Sequence, residues 1–280
     1  MLAAGSLTLT AAVLHAAWNL IVKTRGDRWL AAWGQFVAGA VIFIPVLIVL
    51  GFPRAEAWPH LAISAVIHVG YIGALARAYH HGDFSFAYPL ARGGGAVFAS
   101  IGGSVFLSDA LNAPMWAALC VIALGLGSLV RPSTGWIALS WAGATAVIIG
   151  VYTVVDTAGA RRSGNSFAYG VALTVCSAVA ISIAGLLSGR GREFVATIPS
   201  SWRRYVVSGV ALTGAYSLFL VATGIKGIQL GFVAPLRESS VVLGALAGWL
   251  FLKERLGGAR LVSSIVVMLG MVLLVWARSS

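Results

Sequence analysis

His15, Asn19, His68, Arg77, Arg92, Asp156, Arg237 and Glu238 each stand inside a long apolar run of this chain. A charged group at the centre of a bilayer costs about 2.5 to 3.5 kcal/mol on insertion scales. If those runs cross a membrane, such residues must face a bundle interior or a wetted cavity. The sharpest pair of segments is AYPLARGGG and VAPLRESSV. Proline lacks a backbone donor and opens the helical ladder, so Pro89 and Pro235 should kink or interrupt their helices at matching depth. Freed carbonyls and a half-helix end beside an arginine suit an anion. A guanidinium is always protonated and forks onto carboxylate or phosphate, which makes Arg92 and Arg237 candidate substrate clamps. The alternative is that each neutralises a carboxylate, Arg92 with Glu238 or Arg237 with Asp156. Desolvation and a nearby arginine act oppositely on a carboxyl group, so Asp156 and Glu238 are the candidates for proton coupling. His15 and Asn19, four apart, share one helix face with Trp18 beside them; Tyr152 and Asp156 form a similar face. With Tyr88, these complete the candidate substrate-binding set: His15, Trp18, Asn19, Tyr88, Arg92, Tyr152 and Arg237. A neutral His15 bonded to a backbone carbonyl is the bland alternative. The arginines favour an anion or zwitterion, such as an amino acid or an organophosphonate, while Trp18, Tyr88 and Tyr152 equally suit an aromatic or cationic compound.

Other chemistry lacks its residues. An intramembrane hydrolase needs a nucleophile with a base, paired aspartates or a metal cluster, and the chain has no GxSG, HExxH or paired YD/GxGD motif. Cys120 and Cys176 sit in apolar runs without CxxC spacing. No enzyme activity, metal or cofactor is expected.

The elements that carry these residues follow from composition. Of 280 residues, 59% are hydrophobic and 10% charged, with a mean hydropathy of +0.93. Soluble domains average about 25% charged residues, so a water-soluble globule is excluded. Apolar runs at about 2–23, 30–51, 59–80, 84–107, 112–130, 135–160, 165–188, 204–224, 228–252 and 258–277 are each close to the roughly 20 residues that span a bilayer. Ten transmembrane helices are expected. The breaks TRGDR, SDALNAP, RRSGN and KERLGG combine charge with Gly, Pro or Asn. Trp29, Trp33, Trp58, Trp116, Trp136, Trp202 and Trp276 lie near breaks, at the expected headgroup level. The net charge of +11 comes from basic residues scattered in connectors, as in membrane proteins, and gives no reason to expect nucleic acid. Lys and Arg concentrate in the odd connectors, which the positive-inside rule assigns to the cytoplasm, with both termini outside.

Residues 71 to 130 repeat at 216 to 275 with about fourteen identities in sixty columns. Matches include Tyr71 with Tyr216, Arg92 with Arg237, Gly103 with Gly248 and Gly125 with Gly270, and Asp109 corresponds to Glu254. The chain divides into halves, 1–131 and 132–280. Five helices per half make the second enter the membrane inverted, and many secondary transporters place their site between such repeats. Gly95, Ala99 and Gly103 align with Ser240, Gly244 and Gly248, which predicts close approach of the fourth and ninth helices.

The small-residue helix, the following FLSDAL or FLKERL, and the string GALAGWLFLKERLGGARLVSSIVVMLGMVLLV resemble the EamA branch of the drug/metabolite transporter superfamily. The resemblance implies an all-α integral membrane protein with ten helices around a central cavity. It also implies multi-pass placement in the cell (inner) membrane and export or exchange of small metabolites by alternating access. The family is commonly drawn with cytoplasmic termini, opposite to the connector charge. Partners are then a small-molecule substrate, the lipid bilayer and protons, for a monomer or homodimer. A flippase of a lipid-linked substrate could use the same scaffold; a Phe- and Trp-lined groove open to lipid would distinguish it. Asp109-Ala110 replaces the acidic-Arg pair found at Glu254-Arg255, so this position need not act alike in both halves.

Overall fold

The protein is described by a computed structural model covering residues 2–22, 27–82, 84–128, 135–240 and 258–279. Among these, ten α-helices are delimited, with a short 3-10 turn at Ala55–Ala57, and Ser239 and Ser240 are helical as well. They are α1 (Leu2–Val22), α2 (Arg28–Leu50), α3 (Trp58–His81), α4 (Phe84–Phe106), α5 (Ala113–Gly127), α6 (Trp136–Arg162), α7 (Ser166–Leu187), α8 (Gly191–Gly224), α9 (Leu230–Arg237) and α10 (Gly258–Ser279). Among the described residues, five segments are long and apolar enough to cross a bilayer: Trp29–Leu50, Ala55–His81, Trp136–Arg162, Ser166–Leu187 and Gly191–Gly224.

Several starts are set by side chains in the expected breaks. Asp27 accepts the amides of Trp29 and Leu30, Asn112 that of Met115, and Asn165 those of Phe167 and Ala168. Each satisfies donors left open at a helix start.

Backbone contacts divide the chain into two compact units, Met1–Gly73 with Val155–Lys226, and Ala74–Val154 with Gly227–Ser280. Each contains residues of both sequence halves, and Ala74–Val154 crosses the boundary between them. In the first unit α8 packs on α1, α2 and α7. Gly209 permits the close α2–α8 approach: a Cβ there would lie 2.6 Å from both the Gln35 carbonyl oxygen and the Gly39 nitrogen. Trp33 is buried with Phe36, Ile72, Ile181 and Phe194. Its ring stacks on Phe194 at 4.3 Å, and its indole N–H donates to Ser182 Oγ at 3.0 Å. A partner for the one polar atom makes full burial of the indole inexpensive.

The eighth helix also departs from expectation. Residues read as connector continue it back to Gly191, making 34 residues, or about 51 Å if straight. Phe194 secures this arm on Trp33. Thr197 Oγ1 and Tyr205 Oη lie 2.9 Å apart although eight residues separate them, about 12 Å of helical rise. Two side chains and a hydrogen bond cannot span that distance along a straight helix, so α8 bends between them, where Pro199 removes an intrahelical bond. Arg190, ahead of the arm, bonds Asp27 and Glu193 and lies over the Trp29 ring. Partial burial pushes the Asp27 carboxyl up, but the Arg190 hydrogen bond and charge and the Trp29 and Leu30 amides hold it below the usual range. Glu193, chiefly, raises Arg190.

In the second unit α4 packs on α5 and α9, and α5 on α10. The matched glycines Gly125 and Gly270 are both at the α5–α10 contact, against Val267 and Ile122 respectively. Gly103 meets Leu230 of α9, as the small-residue pattern predicts, whereas Gly95 faces Ile149 of α6. Gly244, Gly248 and Glu254 lie outside the described residues.

Candidate functional site

Each unit carries a buried charged group. In the second, α9 lasts eight residues. Pro235 withholds its donor, and the Glu238 amide turns back to the Pro235 carbonyl at 2.9 Å, so the helix closes at Arg237. Pro89 does not break α4, which runs on to Phe106. Pro89 and Pro235 are each the sixth residue of their helices and each removes one backbone bond, so the closure of α9 goes with the turn at Glu238 and not with the proline alone.

The interruption places Glu238 against α4. Arg92 donates from Nε to Oε2 at 3.1 Å and from Nη2 to Oε1 at 3.0 Å, a two-bond fork. Arg237 Nε reaches the same Oε1 at 3.4 Å. All three residues are buried, between 2% and 3% exposed, so their charges are little screened by solvent. One of the two pairings left open by the sequence, Arg92 with Glu238, is therefore made, and the two matched arginines converge on one carboxylate. The hydroxyls of Ser239 and Ser240, next in sequence, are buried and have no hydrogen-bond partner among the described residues.

Asp109 belongs to this unit as well. Its carboxylate accepts the Leu230 amide, the first of α9, at 2.7 Å, where a negative charge suits a helix N-terminus. The N-terminus of α9 is thus held by Asp109 and its C-terminus by Arg92.

In the first unit, Asp156 is completely buried on α6. Its carboxylate accepts Tyr216 Oη of α8 at 2.6 Å and Tyr169 Oη of α7 at 3.3 Å. His68 of α3 packs edge-on against Phe36, Tyr71 and Tyr216, at centroid separations of 6.0 to 6.3 Å. His68 Nδ1 is 2.8 Å from the Ser64 carbonyl oxygen. A carbonyl can only accept, so Nδ1 carries the proton and Nε2 is the acceptor in the neutral ring.

The remaining candidates are placed as follows. His15 is half-buried on α1, Tyr88 buried on α4 one turn before Arg92, and Tyr152 buried on α6 one turn before Asp156. The side chains of Trp18 and Asn19 lie outside the described residues. Arg77, expected to face the bundle interior or a wetted cavity, is exposed near the end of α3 with its guanidinium 4.9 Å from the Trp141 ring centre. Sequence reasoning did not single out Tyr169 or Tyr216 as ligands of Asp156. A signal for Tyr216 was present in its match with Tyr71, since the structure sets both rings against His68.

Among the described residues no cluster of His, Cys, Asp and Glu could hold a metal ion. The arrangement sets one buried carboxylate against two guanidiniums and another against two phenol hydroxyls.

A solved structure described only as a crystal structure of a protein has the same fold, with a TM-score of 0.74 at 18% identity over 99% of this chain and 98% of that one. Comparison with curated proteins gives no match. Residues 136–276 match the model of the EamA-like transporter family. With that match over half of the chain, in an all-helical protein with several membrane-crossing segments, the chain belongs to the EamA-like transporter family of multi-pass membrane proteins.

Proposed function

We propose that the protein is a secondary active exporter of small polar metabolites. It works by alternating access between inverted repeats, 1–131 and 132–280, with proton coupling. The observation that carries the reading is the buried Arg92–Glu238–Arg237 group at the end of the interrupted α9. Glu238 presents to Arg92 the two oxygens that a substrate carboxylate or phosphonate would present. Protonation of Glu238 weakens its hold on both guanidiniums and lets an anionic substrate take its place. Asp156, held by neutral phenols, is the second coupling candidate. Tyr88 and Tyr152, each one turn from one of these charged residues, and His15, Trp18 and Asn19 on α1 complete the substrate-binding set.

The test begins with thermal shift of purified protein against amino acids, organophosphonates, short carboxylates and lipophilic cations. Stabilisation by an anionic or zwitterionic class is expected; stabilisation by lipophilic cations alone removes the arginine clamp. The stabilising compound is then assayed in proteoliposomes under an imposed pH gradient, with Asp156→Asn and Glu238→Gln. Loss of gradient-driven uptake in at least one variant is expected, and wild-type coupling in both refutes proton coupling through these carboxylates.

A further inference from the structure

We infer that the bent N-terminal arm of α8, Gly191–Arg204, is a docking surface for anionic phospholipid headgroups. The arm is built rather than merely connected. Phe194 stacks on Trp33, Thr197 bonds Tyr205 across the bend, and Arg190 ties its base to Asp27. These contacts fix one face inward. On the outer side Val195, Ile198 and Trp202 are 70%, 43% and 51% exposed. Val195 and Ile198, three residues apart, share one side of the arm ahead of Pro199, and exposed Trp202 follows the bend. Exposed apolar side chains in an arm of this kind suit the headgroup–acyl boundary.

The same arm carries the charges. Arg192 ahead of the bend and Arg203 and Arg204 beyond it are all exposed. Arg203 also lies over the Trp202 ring, 5.3 Å from its centre. Arg190 is occupied by Asp27 and Glu193. The three other arginines have no ion pair among the described residues, and the only acidic residue of the arm, Glu193, is taken by Arg190. Exposed apolar side chains together with arginines match a membrane surface that carries negative headgroups. A clustered basic segment gains affinity for such a surface with each Lys or Arg, and salt screens the gain.

The full-length protein is equilibrated in detergent with a 3:1 mixture of phosphatidylcholine and phosphatidylglycerol, and retained lipids are counted by native mass spectrometry. Wild-type protein should retain phosphatidylglycerol above its share of the mixture, and added salt should reduce the excess. Combined Arg192→Gln, Arg203→Gln and Arg204→Gln should remove it, with a loss of about fivefold in affinity per arginine. Arg→Lys at the same three positions should keep most of it. Lys226→Gln, at the opposite end of α8, should keep all of it. No excess in the wild type, or an unchanged excess in the glutamine variant, overturns the proposal. Equal loss in the lysine variant also overturns it, since the arginines would then be acting through the fold and not through charge.

Discussion

Replacing Arg92 with Met removes both bonds of the fork on Glu238 and leaves a carboxylate that is 2% exposed. Breaking a buried ion pair by deleting one partner costs about 3–5 kcal/mol, because the surviving charge has lost both water and counter-ion. Arg237 Nε, already 3.4 Å from Oε1, can take up part of that charge, so the lower end, about 3 kcal/mol, is expected. At roughly 2–4 °C per kcal/mol for a chain of this size, the midpoint should fall by about 6–12 °C. Thermal unfolding in detergent, followed by loss of the monodisperse peak, measures it. Arg92→Lys keeps the charge but not the fork and should recover about half of the loss. The double variant Arg92→Met with Glu238→Gln should be more stable than the sum of the single effects by at least about 1.5 kcal/mol, since residues in one ion pair are coupled. Additive effects, or a shift below about 2 °C in Arg92→Met, would refute the view that this fork holds α9 against α4.

Two further outcomes follow from the first unit. Gly209→Ala should lower the midpoint by several degrees in the same assay, because its Cβ meets backbone of α2 that cannot rotate away; an unchanged midpoint contradicts the close α2–α8 packing. Asp27 has its carboxyl held below the usual range, so its contribution is present in full above the ordinary carboxylate range near 4. It fades as pH falls through the lower value of the folded protein. The group is partly exposed and the effect is under about 1 kcal/mol. The midpoint difference between wild type and Asp27→Asn should therefore be present at pH 6 and shrink as the pH is taken below the ordinary carboxylate range, and a difference that grows on acidification contradicts the sign.

Most helix boundaries among the described residues were legible in the chain because lipid imposes local requirements. A span must be apolar over about 20 residues, and Asp27, Asn112 and Asn165 mark the breaks by capping the helices that follow. The small-residue pattern likewise pointed to the α4–α9 contact at Gly103. The arm of α8 was not legible. Its polar residues read as a connector, and it folds as helix because Phe194 has a place on Trp33, a partner more than 150 residues away in sequence. Pro89 and Pro235 read alike in sequence, but α4 continues past one while α9 closes just after the other.

By itself the sequence determined the solvent, the helical class, the repeat and the short set of charges that could not be buried cheaply. Those properties depend on composition and on spacing along the chain. Only the tertiary structure decided the partners: Arg92 with Glu238, Asp156 with Tyr169 and Tyr216, and Asp109 with the start of α9. A buried charge requires compensation, and the sequence states that requirement. Which donor or acceptor supplies it depends on helix packing, where a single turn of register exchanges one set of neighbours for another.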